Sequence, residues 1–153
     1  YFKSKDDLIE AIADRVLGQV AARFDEALTE NPDIDPADAV RLAVETLEEI
    51  ASSGPVDVSR VAVQAWAEAL RSERIAAVVS GAYRTIRDYF VVVCRRAQGN
   101  GSLPADADPE ALGSALYSLA AGFVLQRNLI GDVRADTYAP AVRTLLGARA
   151  TTD

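Results

Sequence analysis

The sequence predicts an all-α domain, a six-helix bundle, on three observations. Apolar residues recur at spacings of three and four through almost the whole chain, the mark of helices with one buried face. The breaks between these stretches are short and hold Pro, Gly, Asn or Asp, often as an acceptor followed by Pro or an early acid, which is how helices stop and start. No stretch alternates apolar and polar residues as a half-buried strand does, and there is no internal repeat or low-complexity segment.

The first helix is expected over Lys5 to Glu30, with Ser4 as N-cap and Asp7 three residues on, where a carboxylate answers the cap and suits the positive helix end. Its apolar stripe runs Leu8, Ile9, Ile12, Val16, Leu17, Val20, Phe24, Leu28. Asn31-Pro32-Asp33 breaks it, and Asp35-Pro36 opens a second helix to about Ser53. That helix buries Val40, Ala43, Val44, Leu47 and Ile50 and leaves Glu45, Glu48 and Glu49 as a solvated acidic edge; Gly54-Pro55 stops it. The third segment, about Asp57 to Ser72, is apolar on nearly every side, so it is expected to be surrounded. Ser72 and Glu73 cap a long fourth helix to about Gln98, which turns Ile75, Val79, Tyr83, Ile86, Phe90 and Val93 inward and ends at Gly99-Asn100-Gly101. Asp108-Pro109-Glu110 starts the fifth, which reaches about Asn128. Asp136 is expected to cap the sixth, which ends at Gly147 and tolerates Pro140 only because it lies in the first turn.

At 153 residues with half of them hydrophobic, the chain can bury one core, and one domain is expected. A net charge of −7 argues against this chain binding nucleic acid by itself, since phosphates call for a basic face. A lone cysteine, Cys94, rules out an internal disulfide, and the absence of His removes the usual zinc sets and His-based acid–base chemistry. No catalytic residue, metal or cofactor is therefore expected, and the chain is read as a non-enzyme. Cys94 stands beside Arg95 and Arg96, which could activate a thiol; burial as a small hydrophobe is the simpler reading. No uninterrupted apolar run of ~18 residues occurs, so no membrane span and a cytoplasmic location are expected.

The opening run Tyr1-Phe2-Lys3-Ser4-Lys5-Asp6-Asp7-Leu8, followed by this helix pattern, resembles the junction in TetR-family transcriptional regulators between the DNA-binding helix-turn-helix and the effector-binding, dimerising domain. The resemblance implies that residues 1–4 are the end of a helix-turn-helix mostly absent from this sequence, 5–148 the effector-binding and dimerisation domain, and 149–153 a tail. It implies a ligand-responsive regulator, read as a repressor, whose partners are operator DNA, a small-molecule effector and a second copy of itself. Phe2 would pack the recognition helix onto the domain, and Tyr1, Lys3 and Lys5 would lie toward DNA.

Two sets of candidate residues follow. The uncharged, small-residue stretch Leu112 to Leu125 is hard for one protomer to cover. A homodimer through a four-helix interface of the kind found in this family would then use Leu112, Leu116, Leu119, Ala120 and Phe123 with Tyr138, Val142, Leu145 and Leu146 of the last helix. An effector pocket between helices would be lined by Leu17, Phe24, Val63, Gln64, Trp66, Tyr83, Ile86, Phe90 and Tyr117, and would suit an apolar or amphipathic molecule of aromatic size. Gln64 is an uncharged amide in an apolar helix; it either orients a ligand, bonds a neighbouring polar group, or points at solvent. The competing reading is an all-α interaction scaffold whose fifth and sixth helices recruit a different partner.

Overall fold

The computed structural model describes residues 2–55 and 57–147. Among them are six helices and no strand: α1 (Lys5–Glu30), α2 (Pro36–Ser52), α3 (Val58–Ala69), α4 (Glu73–Gly99), α5 (Pro109–Leu129) and α6 (Ala135–Gly147). None is long and apolar enough to cross a membrane.

Most caps are those the sequence signals. Ser4 Oγ accepts the Asp7 amide at 3.1 Å while the Asp7 carboxylate accepts the Lys3 amide at 3.2 Å, a reciprocal arrangement that satisfies two otherwise orphaned donors. Asp35, Asp57, Ser72 and Asp108 cap α2 to α5. The third helix stops at Ala69 and not at Ser72, because the amides of Arg71 and Ser72 both turn back on the Glu68 carbonyl and release Ser72 to cap α4 through Ile75. Asp136 does not cap α6. It lies inside the first turn, and the Ala135 amide is instead met by the Glu48 carboxylate of α2 at 3.4 Å. The acidic edge of α2 is thus used as well as solvated: Glu49 pairs with Arg23 of α1 and Glu45 with Arg41.

The main core joins α2, α5 and α6 to the C-terminal halves of α1 and α4. Phe24 meets Phe90 edge-on at 5.4 Å and stacks on Tyr89 at 5.1 Å, geometries the ring quadrupole favours. Cys94 is buried in this core, and burial pushes its thiol up to about 11, so it is a packing residue. Arg143 of α6 reaches Asp38 of α2 and fastens the two helices at the surface. A second, much smaller cluster, Ile9, Ala65 and Ile75, ties the starts of α1 and α4 to α3.

Two expectations change here. The third helix is not surrounded: only Ser59 and Ala65 are buried, Gln64 and Leu70 are exposed, and most of its apolar side chains are half-buried. And Leu116, Ala120, Phe123 and Val142, expected at a dimer interface, are enclosed within one protomer. The reason is that the uncharged stretch of α5 has two apolar faces. One packs inward against α4 and α2. The other turns outward as Ala111, Ala115, Ser118, Leu125 and Leu129, with the half-buried Gly122 among them, and their four–three spacing is that of a helix seam. Leu145 and Leu146 of α6 are also outward, whereas Leu112, Leu119 and Tyr138 are half-buried.

The inward face depends on Gly113. A Cβ there would stand 2.5 Å from Val91 Cγ2 and 3.0 Å from the Val91 amide nitrogen, so α5 lies on α4 with no room for a methyl. Gly113→Ala should therefore destabilise the domain by about 1–3 kcal/mol despite the better helix propensity of Ala; a urea midpoint equal to or above that of the parent would show that the two helices are not in such close contact.

Candidate ligand-binding site

Between the main core and the small cluster the helices leave a cavity of about 130 Å³. It exists because the side chains that meet there are short. α3 contributes Ala62 and Ala65, α5 contributes Ala120 and Ala121, α4 contributes Ala82, and α1 contributes Ala13. Longer groups complete the wall, among them Ile12, Val16 and Leu17 of α1, Trp66 of α3, Ile86 of α4 and Tyr117 of α5. All six are half-buried, as residues facing a space are. The space is partly open to solvent, and an apolar guest of about benzene size would bury its own surface together with that of these walls.

The polar groups are few and lie at identifiable places. The Tyr117 ring meets that of Tyr83 at 4.2 Å. Burial, with a smaller contribution from Tyr83, pushes its hydroxyl up to about 12. Tyr117 is therefore a neutral hydroxyl without a protein partner among the described hydrogen bonds. At the other end of the wall Ser59 Oγ donates to Asp57 Oδ1 and accepts from Arg127 Nη1 at 3.0 Å and Asn128 Nδ2 at 2.9 Å. Arg127 also pairs with Asp57 Oδ2 at 2.8 Å, and Asn128 is oriented by donating to the Val124 carbonyl. These four side chains form a latch between the start of α3 and the end of α5. Burial works against the Asp57 carboxylate, but hydrogen bonds from Ser59 and Arg127 outweigh it and hold its pKa below the ordinary value.

Of the nine residues expected in a pocket, Leu17, Trp66, Ile86 and Tyr117 line the cavity. Phe24 and Phe90 do not, because they are fully buried against each other one to two turns further along α1 and α4. Tyr83 stands behind Tyr117, Val63 packs on the main core, and Gln64 is exposed, so its amide is satisfied by water. The alanines and valines of the wall carry no signal that separates them from ordinary core. Asp57 and Arg127 are 70 residues apart, and nothing in the sequence joins them. Toward the N-terminus, Lys3 is exposed and Lys5 reaches Glu68 of α3 at 3.6 Å while remaining mostly solvated; Tyr1 lies outside the described residues. Among the described residues no His, Cys, Asp and Glu cluster is placed to hold a metal.

The lowered pKa values of Asp57 and Asp38 fix the sign of the acid response. Each contributes stability above its unfolded-state pKa near 4, and that contribution disappears as pH falls through the lower folded value. The melting temperature should hold from about pH 7 to 5 and fall below about pH 4. Asp57→Asn should melt lower at neutral pH and lose less on acidification; parallel curves for the two proteins would remove the latch from the account.

A family model described as a BetI-type transcriptional repressor, C-terminal, matches residues 36–150, which takes in α2 to α6 and leaves α1 outside. No curated protein and no solved structure matches the chain. The all-helical fold, the inter-helix cavity and a match over most of the length agree, and the chain belongs to the C-terminal domains of the TetR family of transcriptional regulators.

Proposed function

We propose that this chain is the effector-binding and dimerising domain of a ligand-responsive repressor, which reads operator DNA through a helix-turn-helix outside this sequence. The observation that carries the proposal is the apolar cavity shared by α1, α3, α4 and α5. The start of α1 is held to the rest by the small Ile9, Ala65 and Ile75 cluster and by exposed ion pairs of Arg74 with Asp7 and Glu10. Pairs of this kind are worth little each. A guest that fills the cavity pushes on Ile12, Val16 and Leu17, and α1 yields at its weakly held start while its end stays fixed by Phe24. Lys3 and Lys5 stand at the moving end. In a dimer this alters the spacing of two DNA-reading modules, and the operator is released.

The second copy is proposed to cover the outward seam of α5. Its groups are ready to be dried: the Ser118 hydroxyl donates to the Ser114 carbonyl, and Ser114 to that of Glu110, so neither has to keep a water. Leu125 and Leu129 are its large exposed groups, at 37% and 73%, and Leu145 of α6 is exposed at 70%.

Two experiments test this. In sedimentation the parent should run as a dimer and Leu125→Glu/Leu129→Glu as a monomer; a monomeric parent would turn the reading to a scaffold with another partner. In a gel-shift assay of the full-length protein, Trp66→Ala should keep operator affinity and change the ligand response. Release by the ligand unchanged from the parent, or loss of operator binding itself, would make Trp66 plain scaffold.

A further inference from the structure

Outside the latch, the ends of α3 and α5 enclose a polar groove of about 390 Å³. Arg60, Arg127 and Arg134 line it, with Glu48 and Asp57 as its acids. Of the acids, Glu48 is turned to the Ala135 amide and Asp57 to Arg127 and Ser59. Arg134 is drawn to Asp136. Arg60 is exposed and has no partner in the described hydrogen bonds or ion pairs. Arg127 uses only Nη1, for Asp57 and Ser59, although a guanidinium carries five donors. Its Nε and Nη2 have no partner among the described hydrogen bonds, and the residue lines the groove. The groove therefore offers unsatisfied cationic donors, on a chain whose overall charge is negative.

The groove and the apolar cavity adjoin at the latch. Ser59 lines the cavity, and its Oγ lies 3.0 Å from Arg127 and 2.9 Å from Asn128, which line the groove. We infer that the ligand is an apolar carboxylate whose body fills the cavity and whose carboxylate crosses at Ser59 to meet the free edge of Arg127 and the side chain of Arg60. Planar, two-point recognition of a carboxylate is what a guanidinium edge provides. A cationic head would meet three arginines and two acids already turned to other partners, and a neutral one would leave the Arg127 donors to water. The inference rests on the cavity being a ligand site and adds the chemical class of the ligand.

Trp66 is the only tryptophan and lies in the cavity wall, so its emission reports occupancy. Three probes with one apolar body, 3-phenylpropanoate, 3-phenylpropanol and 3-phenylpropylammonium, separate the head group from the body when titrated at low salt. The carboxylate should bind at least about tenfold more tightly than the alcohol, with the ammonium weakest. Arg60→Gln, at an exposed residue without a partner, should leave the fold and the alcohol affinity unchanged and reduce the carboxylate preference, and Arg127→Gln should reduce it further. Equal binding of carboxylate and alcohol, preference for the ammonium, or a preference that survives both substitutions overturns the head-group assignment while leaving the cavity as a site. Silence of Trp66 toward all three overturns the cavity reading and this inference with it.

Discussion

The contact of α5 on α4 at Gly113 sets the geometry that the rest of the fold has to accommodate. With Val91 against the α5 backbone, the C-terminal half of α4 is fixed to α5, and Phe90, Val93 and Phe123 are locked with α2 and α6 into one core. The N-terminal half of α4 continues beyond this contact and meets α1 and α3 through small residues. The helices are long enough to span both regions, so backbone continuity carries them past a place where side chains do not fill the space between them. The cavity is the result. It lies between a large core that resists deformation and a three-residue cluster that resists it little.

That asymmetry gives the proposed mechanism its direction. A ligand entering between two equally stiff regions would be rejected or would spread its strain evenly. Here the stiff side includes the outward seam of α5, and the soft side includes the start of α1. The ion pairs of Arg74 and Lys5 orient that start without holding it firmly, since solvent screens them. The family match begins at Pro36, after α1. The helix proposed to move is thus the one outside the matched region. The latch of Asp57, Ser59, Arg127 and Asn128 sits on the stiff side, where α5 is fixed, and gives a bound head group a stationary anchor.

The fold was legible because helix signals are local. Ser4, Asp35, Ser72 and Asp108 each announce a helix within four residues, and each caps one. The sixth helix shows the limit: its cap comes from Glu48, 87 residues away in sequence, and no local pattern marks it. The same limit governs the site. Leu17, Trp66, Ile86 and Tyr117 could be read as wall residues because they are large and sit on inward faces. Phe24 and Phe90 are equally large and equally inward, and only the crossing of α1 and α4 makes them core. The inward and outward faces of α5 could not be told apart, because Leu116 and Leu125 are alike in chemistry and differ only in what stands opposite. Ala62 and Ala121 matter by being small where a space is left, which is a property of the assembled helices and not of any one of them.

The central claim is that this space is a real void, open to a guest of the right size. The most direct measurement is to fill it from within. Ala62→Leu places a larger side chain into the cavity from α3 with little loss of helix propensity. The account predicts that the melting temperature rises and that Trp66 emission no longer responds to 3-phenylpropanol. A variant that melts lower while Trp66 still responds as in the parent would contradict it.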